Sequence, residues 1–412
     1  MLLSILIIYY YYCSKIIKKG EVNMKKLLLA LLAVTGFSVA QAQSSVTIYG
    51  LLDVGYIGTN YRGTAADATA KQNTNTFGNS AESSSRLGFK GVEDLGGGTS
   101  AFFTVETGLN PNSATASTFN NRQSFVGLKQ KGIGQVAIGT QYTPIFNAVA
   151  ATDPGQVNNM MGNAIYATTP QANGNSGAGN YTGSSSSSGT SDAFTVRVSN
   201  ALTVTSDKFA GFTGTGLIVA NNVNQTQTSP TTGGQTNYNG WGLGVNYEWQ
   251  KLLLTANYQA LKSNLSASTL STPAPALWTT SGGGTNTQDN QTYVAATYDF
   301  GILKAYAQYI NRKATDTLNN GYYAQRKAEQ IGVRGFITPT IEGWASAGLG
   351  KVTAFGQGQP TANFNAYQLG SNYYLSKRTN LYAIYGQTQT SSVSPNASLA
   401  GSNYAVGVRH TF

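Results

Sequence analysis

The sequence predicts an all-β fold: a sixteen-stranded antiparallel transmembrane β-barrel with short periplasmic turns, long extracellular loops and a third loop folded inward. Three observations predict it. Segments of about ten residues alternate apolar with polar or small side chains. Short turns alternate along the chain with long polar connections. An export signal precedes a chain that carries few charges and contains no stretch long enough for a transmembrane helix.

The alternation is plainest in the second half. Trp241, Leu243, Val245, Tyr247 and Trp249 share one face, with Gly242, Gly244, Asn246 and Glu248 on the other. Leu252, Leu254, Ala256, Tyr258 and Ala260 alternate with Leu253, Thr255, Asn257 and Gln259, and Leu381, Ala383 and Tyr385 repeat the pattern. A soluble sandwich strand alternates likewise. The aromatic residues at both ends of the outward face, Trp241 and Trp249, favour a membrane, whose two interfaces stabilise amphipathic rings.

Short turns are expected at 93–98, 131–135, 206–211, 249–251, 299–301, 338–340 and 376–380, with polar loops such as 221–240 and 264–290 between them. Seven turns on one side, with both termini there, make eight hairpins and sixteen strands. An even number closes the sheet and leaves no unpaired edge in lipid. The connection 144–192 is far longer than the rest. It contains no Lys or Arg, has one Asp within it at 153 besides the Asp192 that bounds it, and ends in the Gly/Ser tract 174–189. Its first half, to about Pro170, is expected inside the barrel and its second half outside.

Met24-Lys25-Lys26, the apolar run Leu27 to Val39 and Ala40-Gln41-Ala42 form a Sec signal peptide over 24–42, cleaved after Ala42, so that the barrel occupies 43–412. Residues 1–23 are read as a mis-annotated upstream extension, because Lys19-Gly20-Glu21 can be encoded by a ribosome-binding sequence just ahead of Met24. Cys13, the only cysteine, lies in that extension, leaving the mature chain without disulfide or thiolate metal site. Charged residues make up 10% of the chain, against about 25% in soluble domains. Removing the five Lys and one Glu of the first 42 residues leaves 21 basic and 15 acidic side chains, a net +6. That balance suits anionic solutes or lipopolysaccharide. No Lys/Arg-rich run exists, and the export signal argues against nucleic acid.

Four stretches carry a family resemblance: Ser44-Ser45-Val46-Thr47-Ile48-Tyr49-Gly50, Ser85-Arg86-Leu87-Gly88-Phe89-Lys90-Gly91-Val92-Glu93-Asp94-Leu95-Gly96, Arg122-Gln123-Ser124-Phe125-Val126-Gly127-Leu128 and Val408-Arg409-His410-Thr411-Phe412. Together they resemble the Gram-negative general porins of the beta-proteobacterial (Neisseria/Burkholderia) type. The resemblance implies a homotrimer in the outer membrane, passing small hydrophilic solutes and inorganic ions, with an inward third loop narrowing each pore. It also implies wall arginines facing loop acids. By motif the basic wall is Arg86, Arg122 and Arg197, with Lys90 on the face of Arg86. Asp153 and Glu106 are placed on the acidic loop side, Glu106 also being a candidate salt-bridge neighbour of the wall. Thr140 stands where the family usually has Arg. Phe412 looks like the assembly signal read by the barrel-assembly machinery.

Parity supports Arg86 independently: Leu87 and Phe89 point one way, so Arg86, Gly88 and Lys90 point the other. A guanidinium facing hydrocarbon costs about 2–4 kcal/mol at the midplane, so this face should be the lumen. A lumen ring of cations with one facing acid favours anions, and salt should weaken the preference.

Neither a cofactor nor a metal is called for. His410 is the only histidine and sits beside the terminus, which removes the usual nucleophile–base arrangements and His/Cys metal ligation. Gly96-Gly97-Gly98 lacks a following Gly-Lys-Ser/Thr and reads as a turn. An adhesin whose long polar loops bind a host or phage surface is a competing function, and a barrel enzyme is a weaker one.

Overall fold

The computed structural model describes residues 45–62, 71–112, 122–166, 194–229, 232–266, 285–316, 323–355, 362–390 and 400–412. The export signal, the upstream extension and the Gly/Ser tract 174–189 lie outside the described residues.

The first strands are β1 (Ser45–Arg62), β2 (Lys71–Asn79), β3 (Arg86–Gly96), β4 (Thr99–Gly108), β5 (Ser124–Gln130) and β6 (Gly134–Tyr142). Helix α1 (Pro144–Thr152) follows, then β7 (Arg197–Ser206), β8 (Phe212–Ser229), β9 (Thr232–Trp249), β10 (Leu252–Leu265) and β11 (Thr285–Asp299). The chain ends with β12 (Lys304–Asp316), β13 (Tyr323–Thr338), β14 (Ile341–Phe355), β15 (Ala362–Tyr374), β16 (Thr379–Thr390) and β17 (Ala400–Thr411). Apart from β2 and β3, which both pair with β1, neighbouring strands pair antiparallel, and β1 pairs with β17 from Leu51↔Thr411 to Arg62↔Ala400, which closes the cylinder. Closure gives each strand other than β2 two partners among the described residues, as lipid demands of a backbone with no water to bond.

Seventeen strand segments fill sixteen barrel positions. β1 carries β2 along Val54–Arg62 and β3 along Ser45–Leu51, so β2 and β3 are one position interrupted at 80–85. Asp53 explains how the break is held. Its carboxylate accepts the backbone N–H groups of Glu82 (2.8 Å) and Ser83 (2.7 Å) and the Tyr382 hydroxyl (2.6 Å). The Ser85 hydroxyl bonds the Asp53 amide at 3.0 Å. Amides that lose their ladder partners are thereby satisfied inside the barrel.

All seven expected turns join neighbouring strands. The expected loop at 221–240 is corrected: β8 runs on to Ser229 and β9 begins at Thr232. Cross-strand amide bonds, Asn239 to Asn222 at 2.7 Å and Asn237 to Asn224 at 2.9 Å, hold this polar hairpin together. Polar composition therefore did not end the strands, because a barrel continues its ladder beyond the lipid. The expected loop at 264–290 is shortened likewise, with β11 starting at Thr285.

Period-two parity sets the faces. Trp241, Leu243, Val245 and Trp249 are exposed outward, while Thr255, Asn257, Gln259, Gln291 and Gln330 are buried inward. Exposed aromatics form two outer bands. Trp241, Tyr258, Tyr309, Tyr367 and Tyr385 lie toward the long connections, and Trp249, Tyr298, Phe336 and Tyr373 lie toward the short turns. Such paired girdles flank the apolar band of a membrane barrel.

The third loop lies inside, as expected, over its described part. Pro144 starts α1 at its first turn, and the Thr143 hydroxyl accepts the Phe146 amide at 3.2 Å, an N-cap. The same hydroxyl donates to the Thr195 carbonyl at 2.6 Å, tying the helix start to the returning chain. α1 packs on β9–β12 through Ile145, Ala148 and Val149, beside Tyr293, Ile310 and Phe194. Burying Ile145 and Val149 stabilises this docking by about 1.5–3 kcal/mol each. Beyond the helix the loop touches one wall position after another. Asn158 exchanges bonds with Gln368 of β15 (2.6 and 3.0 Å), Asn159 donates to the Ser80 carbonyl at the strand break (2.7 Å), and the Met161 amide donates to Asn403 of β17 (3.1 Å). Gly162 (φ 90°) and Gly386 permit the closest approach: a Cβ at Gly162 would fall on the Tyr367 carbonyl, and one at Gly386 on the Met161 carbonyl.

Candidate pore constriction

α1 packs against β9–β12, the chain after it bonds β13 and β15–β17, and Met160 packs with Ile57 of β1, which leaves β3–β7 as the open wall. On that open wall β3 supplies Arg86, β4 supplies Glu106, the segment before β5 supplies Arg122, β6 ends in Tyr142 and β7 begins with Arg197. These side chains meet. Arg86 Nε lies 3.5 Å from Glu106 Oε2, and Arg122 Nε pairs with Glu106 Oε1. Tyr49 donates its hydroxyl to Glu106 Oε2 at 3.2 Å. Arg122 Nη2 donates to the Tyr142 hydroxyl at 2.6 Å, and the Arg197 guanidinium lies 5.7 Å from the Tyr142 ring centre. Arg197 Nε is buried with no hydrogen-bond partner. Two guanidiniums thus share one carboxylate, and a third, that of Arg197, lies beside them without one. Arg86 is 27% exposed and is the more open of the two, Arg122 being 12% exposed.

Glu106 is corrected here. It does not face the arginines from the loop side but stands among them on β4, because its parity points inward two strand positions from Arg86. Lys90 is exposed on β3 with Nζ 5.3 Å from the Tyr49 ring. Four residues along the strand put it about 13 Å from Arg86, toward the short turns. Thr140, in the position where arginine is usual, bonds Ser199 at 3.1 Å.

Asp153 follows α1 on the loop and is 2% exposed. Its carboxylate accepts the Val157 amide (2.7 Å), Asn163 Nδ2 (2.8 Å) and Gln330 Nε2 (3.2 Å). Burial pushes this carboxyl up, against the downward pull of those three bonds and of the Arg334 charge. It faces β13, away from the arginine cluster. The loop side chains that α1 leaves exposed, Asn147, Ala150 and Ala151, are neutral. Among the described residues, then, no loop carboxylate opposes the arginine wall.

A second set of inward cations was not singled out from sequence. Arg334 forms a two-point pair with Glu342 (2.7 and 2.5 Å) and donates to the Pro154 carbonyl at 2.8 Å. Arg326 donates to the Ala164 carbonyl at 2.6 Å, and Arg312 pairs with Asp289 at 2.6 Å. Arg409 lies 3.5 Å from Glu82. Strand parity was the signal available: with Tyr309 and Ile331 facing out, Arg312 and Arg334 must face in.

A closed antiparallel cylinder with an inward loop and an arginine-lined gap defines a membrane-spanning channel-type barrel. The sequence profile described as Gram-negative porin matches residues 28–392, and the chain belongs to that family of outer-membrane proteins. An outer membrane porin protein of Bordetella pertussis is 36% identical over 161 residues, covering 35% of this chain and 42% of that protein. Outer membrane porin protein 32 of Delftia acidovorans is 38% identical over 131 residues, covering 32% and 35%. The aligned stretches thus span less than half of these relatives. Among solved structures, the anion-selective porin from Comamonas acidovorans superposes with a TM-score of 0.64 at 20% identity, over 90% of this chain and all of that one. The trimer form of OmpT, an outer membrane protein of Vibrio cholerae, gives 0.59 at 14%, over 90% and 99%. At such identities these likenesses establish the shared fold.

Proposed function

We propose that the mature chain is a general diffusion porin: a homotrimeric, passive, water-filled channel for small hydrophilic solutes and inorganic ions, with a mild preference for anions, and not an enzyme. The observation that carries the preference is the cluster of Arg86, Arg122 and Arg197, in which Arg86 and Arg122 share Glu106, with no loop carboxylate facing it among the described residues. Anions entering a narrow aqueous gap gain Coulomb energy there, and ions in solution screen it. Asp153 sets the loop's position in this reading rather than the field in the gap, and Lys90 extends the positive field toward the periplasmic mouth. The segment 24–42 directs export and is removed after Ala42. Phe412, paired to Gly50 through both backbone bonds at 3.1 Å with its ring 43% exposed on the outer face, is the signal offered to the assembly machinery.

Planar-bilayer recording of the mature protein tests the reading. Openings should be large, stepwise and in threes, and a KCl gradient should give a zero-current potential of the anion-selective sign that shrinks as salt rises. In Arg86→Ala with Arg122→Ala, Glu106 loses its partners and the chloride-to-potassium permeability ratio should fall to unity or below. An unchanged potential rejects the constriction, and a wild-type barrel sealed to ions rejects the channel.

A further inference from the structure

The outer surface carries a group of cations just past the apolar band of the barrel. Beyond the upper aromatic band, Lys262 stands four residues above Tyr258 on β10, and Lys313 four above Tyr309 on β12. Lys327 of β13 and Lys351 of β14 are direct cross-strand partners. Both are exposed, on the faces shared with Ile331 and Leu349. Lys313 is opposite Gln325, which makes it the diagonal neighbour of Lys327. Its ammonium rests 4.2 Å from the Tyr323 ring. The same cross-strand row places Asn311 beside Lys327 and Asn363 beside Lys351.

Directly opposite residues on one sheet face hold their Cβ atoms about 4.5–5.5 Å apart, and like charges there destabilise the sheet. Lys313, Lys327 and Lys351 form no ion pair among the described residues. Glu329, two residues from Lys327 on the same face, is the one nearby carboxylate and lies beyond ion-pair distance. A sheet therefore holds three ammonium groups together beside one acid, at the level above the aromatic band where lipid headgroups begin. An anion between the lysines turns the repulsion into charge-assisted hydrogen bonds.

We propose that Lys313, Lys327 and Lys351, flanked by Asn311 and Asn363, form a site for the phosphate of an outer-leaflet lipid headgroup, the phosphorylated glycolipid of lipopolysaccharide being its occupant. The inference rests on the porin reading for its orientation, with the long connections outside. The lysines reach phosphate from the lipid side while their methylene stems lie along the apolar band.

The test uses mature protein purified from membranes, with retained bisphosphorylated lipid A counted by native mass spectrometry. Lys313→Gln/Lys327→Gln/Lys351→Gln should retain about tenfold less than wild type, while Lys327→Arg/Lys351→Arg keeps it. Wild type should hold the lipid in EDTA, and dephosphorylated lipid A should fail to replace it. Equal retention by the triple Gln protein, or binding of dephosphorylated lipid equal to that of the phosphorylated form, overturns the site. Loss of wild-type retention in EDTA overturns it too, since a bridging divalent ion would then do the holding. Single-channel conductance of the triple Gln protein should match wild type. A wild-type barrel without conductance instead fails the porin reading and leaves the lipid count to judge the site.

Discussion

Two walls of one lumen use the same side chain in opposite ways. On the covered side, Arg312 and Arg334 each have their own carboxylate, and Arg326 and Arg334 hold loop carbonyls. On the open side, Arg86 and Arg122 divide Glu106, and Arg197 meets only the Tyr142 ring. The difference lies in the partners more than in exposure, since Arg122 is 12% exposed against 10% for Arg312 and 7% for Arg334. A guanidinium shut beneath the loop must be neutralised and fully bonded, because desolvation in a low-dielectric space is costly. Arg86, 27% exposed, keeps part of its hydration and can leave its charge partly uncompensated. The covered arginines thus fix the loop, and the open ones create the field.

The largest effect should come from Arg334→Ala, which strands Glu342 beneath the loop at a cost of about 3–5 kcal/mol. The unfolding temperature in detergent should drop clearly, whereas Arg197→Ala should leave it nearly unchanged and lower the anion preference. The opposite pattern would break the contrast between the walls.

Gln330→Ala comes next. Gln330 accepts the Ala164 amide at 2.8 Å and donates to Asp153 and Gln308. Leaving those buried groups unpaired costs about 1–3 kcal/mol, and a loosened loop should make the open-channel current noisier. A quiet, equally stable channel would show that the loop is held elsewhere.

Glu106→Gln should act only on the field. It removes the acid paired with Arg86 and Arg122, so the zero-current potential should move further toward anion selectivity, with the shift fading at high salt. A move toward cations would mean that the arginines had left the gap with their partner.

The smallest effect is pH-dependent. Burial raises the folded-state pKa of Asp153, so folding favours its protonated form. Stability attached to this group is then present at low pH and declines as pH rises above the ordinary carboxylate range. Asp153→Asn should flatten that slope in thermal unfolding followed against pH. A slope unchanged by the substitution would place the pH dependence in other groups.

The alternation of Trp241–Trp249 and the parity of Arg86 were legible because strand faces are set locally, two residues per repeat. The turns were legible because Gly, Asn and Asp punctuate them. The interruption at 80–85 was not, since it depends on Asp53 and Tyr382, which lie far apart in sequence and meet only when β1 closes against β17. Nor was the extent of the polar hairpin β8–β9, whose amide ladder looks like loop composition until the strands are paired.

By itself, then, the sequence determined which side chains face lipid and which face water, and hence that a barrel with cations inside must form. Only the tertiary structure decided how those cations divide. It put Glu106 beside Arg86 and Arg122, turned Asp153 against β13, and laid the third loop over one wall. The reason is physical: parity travels along a strand, but proximity across a barrel depends on closure, stagger and the path of a loop, and these are summed over the whole chain.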